Sequence, residues 1–599
     1  MDILMKNRWK YIATTVFSIC MLTACNDKLD PEVDLNQSEE QILRDYNNTG
    51  ALLNNIYAYM PNGLYYIDNA MMASACDEAE HTLETSTIQK YNTGNWNAND
   101  NPDGAWGNCF KAINLVNDFL QKKDQVDLDY LKYDQSESVQ QQYKLYVENM
   151  KRWEFEARFL RAFFYFELVK RYGGVPLMTE VQGMNPDYSK LGRKSLDECI
   201  KFIDKECEIA AENLPAVYAD PGDLGRATKG AALALKSRVL LYAASDLYNN
   251  PAWANGFAHP ELISLTGDRT EKWDTAARAA KKVIDLTSAN YSFATDYTGL
   301  FRTYNNNEII LCFRDGANNT FEKNNYPIGY DGGNSGTTPS GNLVDDYEMA
   351  NGTPFDWNNP EHAKAPYSGR DPRLGYTILT NNTQFKGRAV ECWTGGRDGK
   401  GVMHATRTGY YLKKYIDPDV DLLLNQSSVH SWILIRLSEI YLNYAEAMNE
   451  AYGPDDPHGY GMTAREALNA VRTRTAVGMP AVMDGGQTEL RERIRHERRI
   501  ELAFEDHRFW DVRRWMIAPE TLGKPLKGVE ITRAGSSFSY NVINVENRTF
   551  QNRMYFYPIP QKDLNIVGTS WPQNPMWKTN FTVHKNLIFI YNYETKRIL

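Results

Sequence analysis

The chain has 599 residues, with 66 Lys and Arg against 76 Asp and Glu, so its formal net charge at neutral pH is −10. This acidic balance argues against binding nucleic acid, or an anionic glycan, through bulk charge. The length allows several domains. Its 8 cysteines form no CxxC and no Cys/His pattern, so they predict neither a metal site nor a disulfide framework.

The N-terminus reads as a targeting segment. Basic residues at positions 6–10 precede an apolar stretch, 11–22, that is too short to span a bilayer. The sequence LTAC (22–25) then places small residues directly before a cysteine, which looks like a bacterial lipobox. We predict a signal peptide over 1–24 and a lipid on Cys25, with a plain secretory signal as the alternative. Cleavage there leaves a net charge of about −12.

The rest of the chain contains no run of 18 apolar residues, so we expect the protein to be anchored to a membrane without crossing it. Six cysteines remain after Cys20 and Cys25 are set aside, and we expect them to behave as small buried hydrophobic residues. They are Cys76, Cys109, Cys199, Cys207, Cys312 and Cys392.

Helical periodicity dominates two regions. Segments 433–450 and 463–475, joined by a Gly/Pro-rich turn, resemble tetratricopeptide-type repeats, although no strict 34-residue period is visible. The predicted helices cover 105–123, 150–172, 195–214, 227–249, 273–287, 432–451, 463–476 and 488–516.

The region 290–430 differs in composition, since Gly, Asn, Thr, Pro and Tyr rise and helical periodicity disappears. We predict loops and short strands there, and insertions of this kind on a rigid scaffold usually carry function. The fold class is therefore mostly α, with degenerate helical repeats and a loop-rich variable half.

The helix around 155–172 carries twelve apolar or aromatic residues among eighteen, and its polar residues fall into two sets. Arg158 and Arg161, with Glu154, lie on the apolar side, where an unpaired charge is costly. The other set shares one narrow face that we predict to be exposed to solvent. It consists of Glu156, Glu167, Lys170 and Arg171.

A second charged stripe lies in 494–515, where Glu497, Glu501 and Glu505 recur every four residues among apolar side chains. We predict that these acids pair with Arg158 and Arg161 inside one interior, with bidentate geometry. A metal or acid/base site is the alternative. No suitably spaced histidine accompanies the acids, so structural ion pairing is favoured.

These two segments also carry a family resemblance. EARFLRAFFYFELVKRYGGVPL (156–177) and ERRIELAFEDHRFWDVRRW (497–515) closely resemble the signature segments of the SusD/RagB family of nutrient-binding lipoproteins. RDPRLGYTI (370–378) and QNPMW (573–577) are similar to further parts of that family. One departure is Asp506, where the family commonly has glycine; Asp tolerates the left-handed conformation.

The resemblance implies about four tetratricopeptide-like units, in an N-terminal region 25–289 and a C-terminal region 290–577, followed by a tail, 578–599, of unclear structure. It also implies an outer-membrane, lipid-anchored, cell-surface protein that acts as the lid of a SusC-like TonB-dependent transporter. Such a protein captures oligosaccharides, or in some members peptides or glycoproteins, and needs no cofactor.

Sugars are bound by aromatic faces and by Asp, Asn and Arg side chains. Trp96 lies in a polar loop, 82–106, and family members with known glycan sites use an equivalent loop, so we predict that Trp96 is an exposed platform for a sugar. The alternative is that the aromatic residues pack their own loops. The remaining predicted ligand contacts are Asp77, Tyr91 and Asn101, with Tyr326, Tyr330 and Trp357 as second candidates.

An enzyme is the rival from another class. A glycoside hydrolase needs two carboxylates at a defined separation. The sequence contains neither GxSxG nor HExxH, and the prominent acids are assigned to ion pairs. We therefore predict a binding protein without a catalytic or metal site, and keep a peptide- or glycoprotein-binding role and a purely structural helical scaffold as alternatives.

Overall fold

The computed structural model describes residues 38–182 and 191–578. The predicted signal peptide, Cys25 and residues 579–599 of the predicted tail lie outside the described residues. The chain forms two compact units. Of the described residues, one unit contains Ser38–Leu52 and Lys122–Tyr146, and the other contains Leu53–Gln121 and the described chain from Val147 onward.

Helices are the main secondary structure of the described chain. The helices are α1 (Glu39–Arg44), α2 (Tyr46–Tyr57), α3 (Gln89–Thr93), α4 (Ala105–Lys122), α5 (Asp129–Lys132), α6 (Glu137–Tyr172), α7 (Leu196–Asn213), α8 (Lys229–Ala244), α9 (Arg269–Ile284), α10 (Thr320–Asn325), α11 (Gly341–Asp346), α12 (Pro360–Lys364), α13 (Pro372–Thr377), α14 (Leu437–Tyr452), α15 (Ala464–Arg472), α16 (Gln487–Glu501), α17 (Arg508–Arg514), α18 (Ala518–Thr521) and α19 (Gln561–Val567).

The strands pair two by two. They are β1 (Ala79–His81), β2 (Ile309–Asn318), β3 (Thr337–Pro339), β4 (Ile378–Leu379), β5 (Gln384–Phe385), β6 (Arg388–Ala389), β7 (Tyr411–Leu412), β8 (Ser428–Arg436), β9 (Leu526–Ala534) and β10 (Ser537–Glu546). The antiparallel pairs are β1–β3, β2–β8, β4–β7, β5–β6 and β9–β10.

The long helices of the larger unit pack as a series. Helix α8 contacts α7 and α9, α9 contacts α14, and α14 contacts α15 and α16. Such stacking of neighbouring helix pairs buries a continuous apolar core, as in helical repeat proteins. The predicted fold class, a mostly α, tetratricopeptide-like scaffold with a loop-rich half, is confirmed.

Several predicted helices have different bounds, and the one predicted over 150–172 begins earlier, at Glu137. Residues 432–436 belong to strand β8, which pairs with β2, because this segment is rich in β-branched and aromatic residues. The predicted helix 488–516 is broken: α16 ends at Glu501 and α17 begins at Arg508. Phe504 and Asp506 between them have φ angles of 62° and 63°, so Asp506 takes the left-handed conformation that the sequence predicts it to tolerate.

Arg158 and Arg161 do form ion pairs, but with a different acid from those predicted. Arg161 Nη2 lies 2.7 Å from Oε2 of Glu206 in α7, and Arg158 Nη1 lies 2.9 Å from Oε1 of the same carboxylate. Arg161 Nη1 also donates to Asn117 Oδ1 at 2.8 Å. The prediction that Glu497, Glu501 and Glu505 pair with these arginines is wrong. Helix α7 packs beside α6, and its Glu206 forms both ion pairs.

Arg161→Ala should lower the free energy of unfolding by about 3 kcal/mol, because it removes the better-buried partner of the Glu206 carboxylate. Arg158→Ala should cost less than about 1 kcal/mol, since the Arg158 side chain is 28% exposed and Glu206 keeps Arg161. Urea denaturation of both variants measures this difference. Equal losses, or a larger loss for Arg158→Ala, would contradict the assignment.

The face of α6 predicted to be exposed is buried instead. Glu156, Glu167, Lys170 and Arg171 are all buried, because this end of the helix is surrounded by the fold. Arg171 Nε donates to Asp103 at 2.7 Å, and Arg171 Nη1 and Lys170 Nζ each lie 2.7 Å from the Glu167 carboxylate. The charges on this face are therefore paired with other charged side chains inside the protein.

The glutamate stripe of the C-terminal helix lies at the centre of a buried network of ion pairs. Glu497, Glu501 and Glu505 are each at most 4% exposed. Glu497 pairs with Arg373 and Arg472, and Glu505 pairs with Arg436 and Lys414. Glu501 pairs with Arg373, Arg436 and Arg474. In the described part of the chain, no group of three His, Cys, Asp or Glu side chains is placed to hold a metal.

The six cysteines that the structure describes are all buried and free, which confirms their prediction as small hydrophobic residues. Within the described ranges, 38–182 and 191–578, none of the helices combines the length and the apolar character needed to cross a bilayer.

Candidate functional site

Trp96 does not form an exposed platform. Its side chain is 2% exposed, and its ring centroid lies 4.9–5.1 Å from those of Tyr91, Tyr557 and Trp577. The prediction is wrong because the polar character of a loop in sequence does not determine whether distant segments cover it. Here residues 557 and 577 cover the indole ring.

The residues predicted to flank this platform are also engaged within the protein. Tyr91 is buried and donates to Asn101 Oδ1 at 3.2 Å. Asp77 lies 2.6 Å from Arg499 and 2.9 Å from Arg508. Burial alone would raise the pKa of Asp77, but the two arginines reverse this and hold the pKa below its ordinary value. Asp77 is therefore an ionised structural carboxylate.

The second candidates are divided by burial. Tyr326 and Tyr330 are buried, and their hydroxyls donate to backbone carbonyls, at 2.6 Å to Asp417 and 3.0 Å to Phe385. Trp357 is half-buried, and its indole N–H donates to Asp345 at 2.9 Å. Of the seven predicted contacts, only Trp357 and Asn101 are partly exposed, and nothing brings them into one site.

A cleft elsewhere in the larger unit has a volume of about 590 Å³. This size is typical of small-ligand sites. Three segments form it: the chain following β1, the loop between β6 and β7, and the β9–β10 hairpin. Its lining residues are Thr82, Leu83, Glu84, Thr85, Cys392, Thr394, Lys400, Gly401, Val402, His404, Ala405, Thr406, Arg407, Gly409, Val529, Glu530, Ile531, Ile543, Asn544 and Val545.

The hairpin supplies the apolar wall of the cleft. Residues two apart in a strand face the same side, which places Val529 and Ile531 of β9 together. The loop can approach this strand closely because Gly409, at φ 85°, has no side chain. A Cβ atom there would lie 2.5 Å from the Val529 carbonyl oxygen.

The polar groups of the cleft are arranged around charge pairs. Arg407 forms ion pairs with Glu80 and Glu84, and Lys400 Nζ lies 2.5 Å from Glu530 Oε1. Burial raises the pKa of Glu80 to about 7, although Arg407 acts in the opposite direction. The four charged groups that line the cleft, Glu84, Lys400, Arg407 and Glu530, can donate to or accept from a ligand hydroxyl, so the cleft suits a polyhydroxylated ligand.

Sequence reasoning missed this cleft because its residues are dispersed and carry no aromatic stripe. The lining contains no Trp, Tyr or Phe, and the flat ring exposed in it belongs to His404, which has φ 62°. The one usable signal was the alternation of apolar residues in 526–546, which is typical of a strand pair closed by a glycine turn.

Comparison with known proteins identifies the family. The SusD family model matches residues 300–577, and a model described as starch-binding and associating with the outer membrane matches residues 28–241. The chain belongs to the SusD/RagB family. The resemblance drawn from the two signature segments is thereby confirmed.

Solved structures of SusD-like proteins share this fold. A SusD-like protein from Bacteroides fragilis is 28% identical with a TM-score of 0.73, and the match covers 90% of this chain and 99% of that one. A SusD-like carbohydrate-binding protein from the same organism is 26% identical with a TM-score of 0.71, and the match covers 88% of this chain and 99% of that one.

A relative found by sequence is a SusD-like protein of Formosa agariphila. It is 25% identical over 388 residues, which are 60% of this chain, and the chain spans 63% of that relative's length.

Proposed function

We propose that this SusD/RagB protein binds an oligosaccharide in the cleft between residues 82–85, 392–409 and the β9–β10 hairpin. The observation that carries the proposal is a cleft of about 590 Å³, lined by both hydroxyl-binding polar groups and apolar side chains, in a chain of this family. The carbohydrate-binding relative from Bacteroides fragilis supports a sugar over a peptide.

The cleft walls favour a neutral or weakly charged glycan. Its charged residues are largely paired with one another, as in Lys400–Glu530 and Arg407–Glu84, so little net charge is left for an ionic ligand. The ring of His404 and the side chain of Asn544 are exposed at the cleft, where they can contact a sugar ring and its hydroxyls. A peptide- or glycoprotein-binding role is the second candidate, and no catalytic role is proposed.

Calorimetric titration with a panel of neutral oligosaccharides tests this function. The double variant His404→Asn with Asn544→Ala should bind the best glycan at least tenfold more weakly, a loss of about 1.4 kcal/mol. Asn is chosen at position 404 because it tolerates positive φ. Asn541→Ala, an exposed residue of β10 outside the cleft, is the matched control and should change the affinity less than twofold.

If no glycan of the panel binds and peptides do, the peptide- or glycoprotein-binding role is favoured. Unchanged affinity in the double variant would place the glycan outside this cleft.

We also infer that the protein is a cell-surface lipoprotein of the outer membrane, anchored through Cys25, and that it acts as the lid of a SusC-like TonB-dependent transporter. The support for the membrane is the family description that covers residues 28–241. The lid role rests on the family assignment. A captured oligosaccharide would then pass directly from the binding protein to the channel.

Cys25→Ser should release the protein from membranes, because the lipid is the anchor that we assign to it. Cys20→Ser, within the signal peptide, is the control and should leave the protein membrane-bound. Membrane fractionation with labelled fatty acid reads out both variants. Label that is still incorporated into the Cys25→Ser variant would refute the lipobox assignment.

A further inference from the structure

A second cavity, of about 360 Å³, lies in the loop-rich half. It is formed by a short 3₁₀ segment at Gly299–Arg302, by α13, by the β5–β6 hairpin and by the chain following β7. It shares no lining residue with the first cleft. Its lining residues are Thr298, Phe301, Arg302, Tyr376, Gln384, Phe385, Lys386, Lys413, Lys414, Tyr415, Ile416 and Pro418.

The cavity wall is positively charged although the protein is acidic. Four of its lining residues are Lys or Arg, and none is Asp or Glu. Two of these cations are balanced by acids outside the wall: Lys414 Nζ lies 2.7 Å from Glu505, and Arg302 Nη1 lies 3.2 Å from Asp417. The remaining two cations, Lys386 and Lys413, make the net charge of the cavity positive.

Lys386 and Lys413 are those two cations. Among the described residues, their ammonium groups bind backbone carbonyls and form no ion pair. Lys386 Nζ donates to Pro418 and Val420 at 2.6 and 2.7 Å, and Lys413 Nζ donates to Gly375 at 2.6 Å. The cavity therefore contains two ammonium groups without a carboxylate partner among the described residues, and their charges would attract an anion.

The pKa of Lys413 is consistent with a site that lacks a neighbouring negative charge. Burial, together with the nearby charge of Arg302, lowers the pKa of Lys413. An anion bound between Lys386 and Lys413 would stabilise the charged forms of both ammonium groups. Arg guanidinium and Lys ammonium groups are the usual partners of carboxylate and sulfate oxygens.

The rest of the wall suits a ring. Tyr376 is half-exposed, and its ring stacks on that of Tyr297, with centroids 5.5 Å apart. Phe385 adds further aromatic surface. An aromatic face can contact the C–H patch of a sugar, and the volume of the cavity lies at the lower end of that of small-ligand sites.

We propose that this cavity binds an acidic sugar residue, with its carboxylate or sulfate held between Lys386 and Lys413 and its ring against Tyr376. The site is separate from the cleft for a neutral oligosaccharide, and the inference does not require that cleft to bind a glycan. The cavity would give the protein a second binding specificity, for an acidic sugar, which its acidic net charge does not predict.

Calorimetry of the purified protein with glucuronate, glucose 6-sulfate and glucose tests the proposal, and the two acidic sugars distinguish a carboxylate site from a sulfate site. At least one acidic sugar should bind at least tenfold more tightly than glucose, and added salt should weaken that binding. Equal binding of glucose, or no binding by any of the three sugars, would overturn the proposal.

Lys386→Gln and Lys413→Gln should each weaken binding of the acidic sugar at least tenfold. Lys386 is exposed, so its variant should fold normally even if Lys413→Gln destabilises the chain. Lys364→Gln, at an exposed lysine of α12 that lines neither cavity, is the matched control and should leave the affinity unchanged. Affinity retained in Lys386→Gln, or lost equally in Lys364→Gln, would contradict the site.

Discussion

Glu501→Ala should lower the free energy of unfolding by about 3–5 kcal/mol, because it removes a buried carboxylate shared by three buried arginines and leaves the network with an excess positive charge. The Glu501 carboxylate accepts from Arg436 and Arg474 at 2.6 Å each and from Arg373 at 3.0 Å. All three guanidinium groups are buried, so water cannot replace the lost oxygens. Chemical denaturation measures the loss directly.

The control for this variant lies on the same helix. Glu492 is exposed and pairs with Arg495 at 3.2 Å, so Glu492→Ala should cost less than about 0.5 kcal/mol. Glu501→Gln separates charge from shape, since it keeps the volume and removes the negative charge, and it should still be strongly destabilised. A loss for Glu501→Ala no larger than that of Glu492→Ala would show that the buried network does not hold the fold together.

Trp96→Ala should also cost about 3–5 kcal/mol, because it removes a large aromatic side chain from a packed core and leaves a cavity. The indole is surrounded by the rings of Tyr91, Tyr557 and Trp577. Trp357→Ala is the matched control at a half-buried tryptophan and should cost clearly less. Thermal and urea unfolding of the two variants compare them.

The same variant separates packing from ligand contact. Glycan affinity, measured on the fraction of Trp96→Ala that remains folded, should be unchanged, because Trp96 does not line the cleft. Normal melting with a loss of binding would restore Trp96 as a sugar platform.

Much of the helical scaffold was predictable from the sequence, because helical periodicity is local. The segments 105–123 and 195–214 correspond closely to Ala105–Lys122 and Leu196–Asn213. Residues 432–436 of strand β8 were predicted as helix because their apolar side chains run directly into α14, and a continuous apolar run does not distinguish strand from helix.

Partners and burial were less predictable because they depend on contacts between distant segments. The sequence indicated that Arg161 needs an acid, but many acids are available, and only the packing of α7 against α6 selects Glu206. Likewise, the polar neighbours of Trp96 gave no sign that residues 557 and 577 cover it. The candidate cleft unites three segments far apart in the chain and could not be inferred from any one of them.

A crystal structure of the protein with its tightest-binding neutral oligosaccharide tests the central proposal most directly. We expect the sugar between residues 82–85, 392–409 and the β9–β10 hairpin, with hydroxyls hydrogen-bonded to groups such as Asn544 and a ring near His404. A sugar seated instead on Trp357, or anywhere outside the cleft, would contradict it.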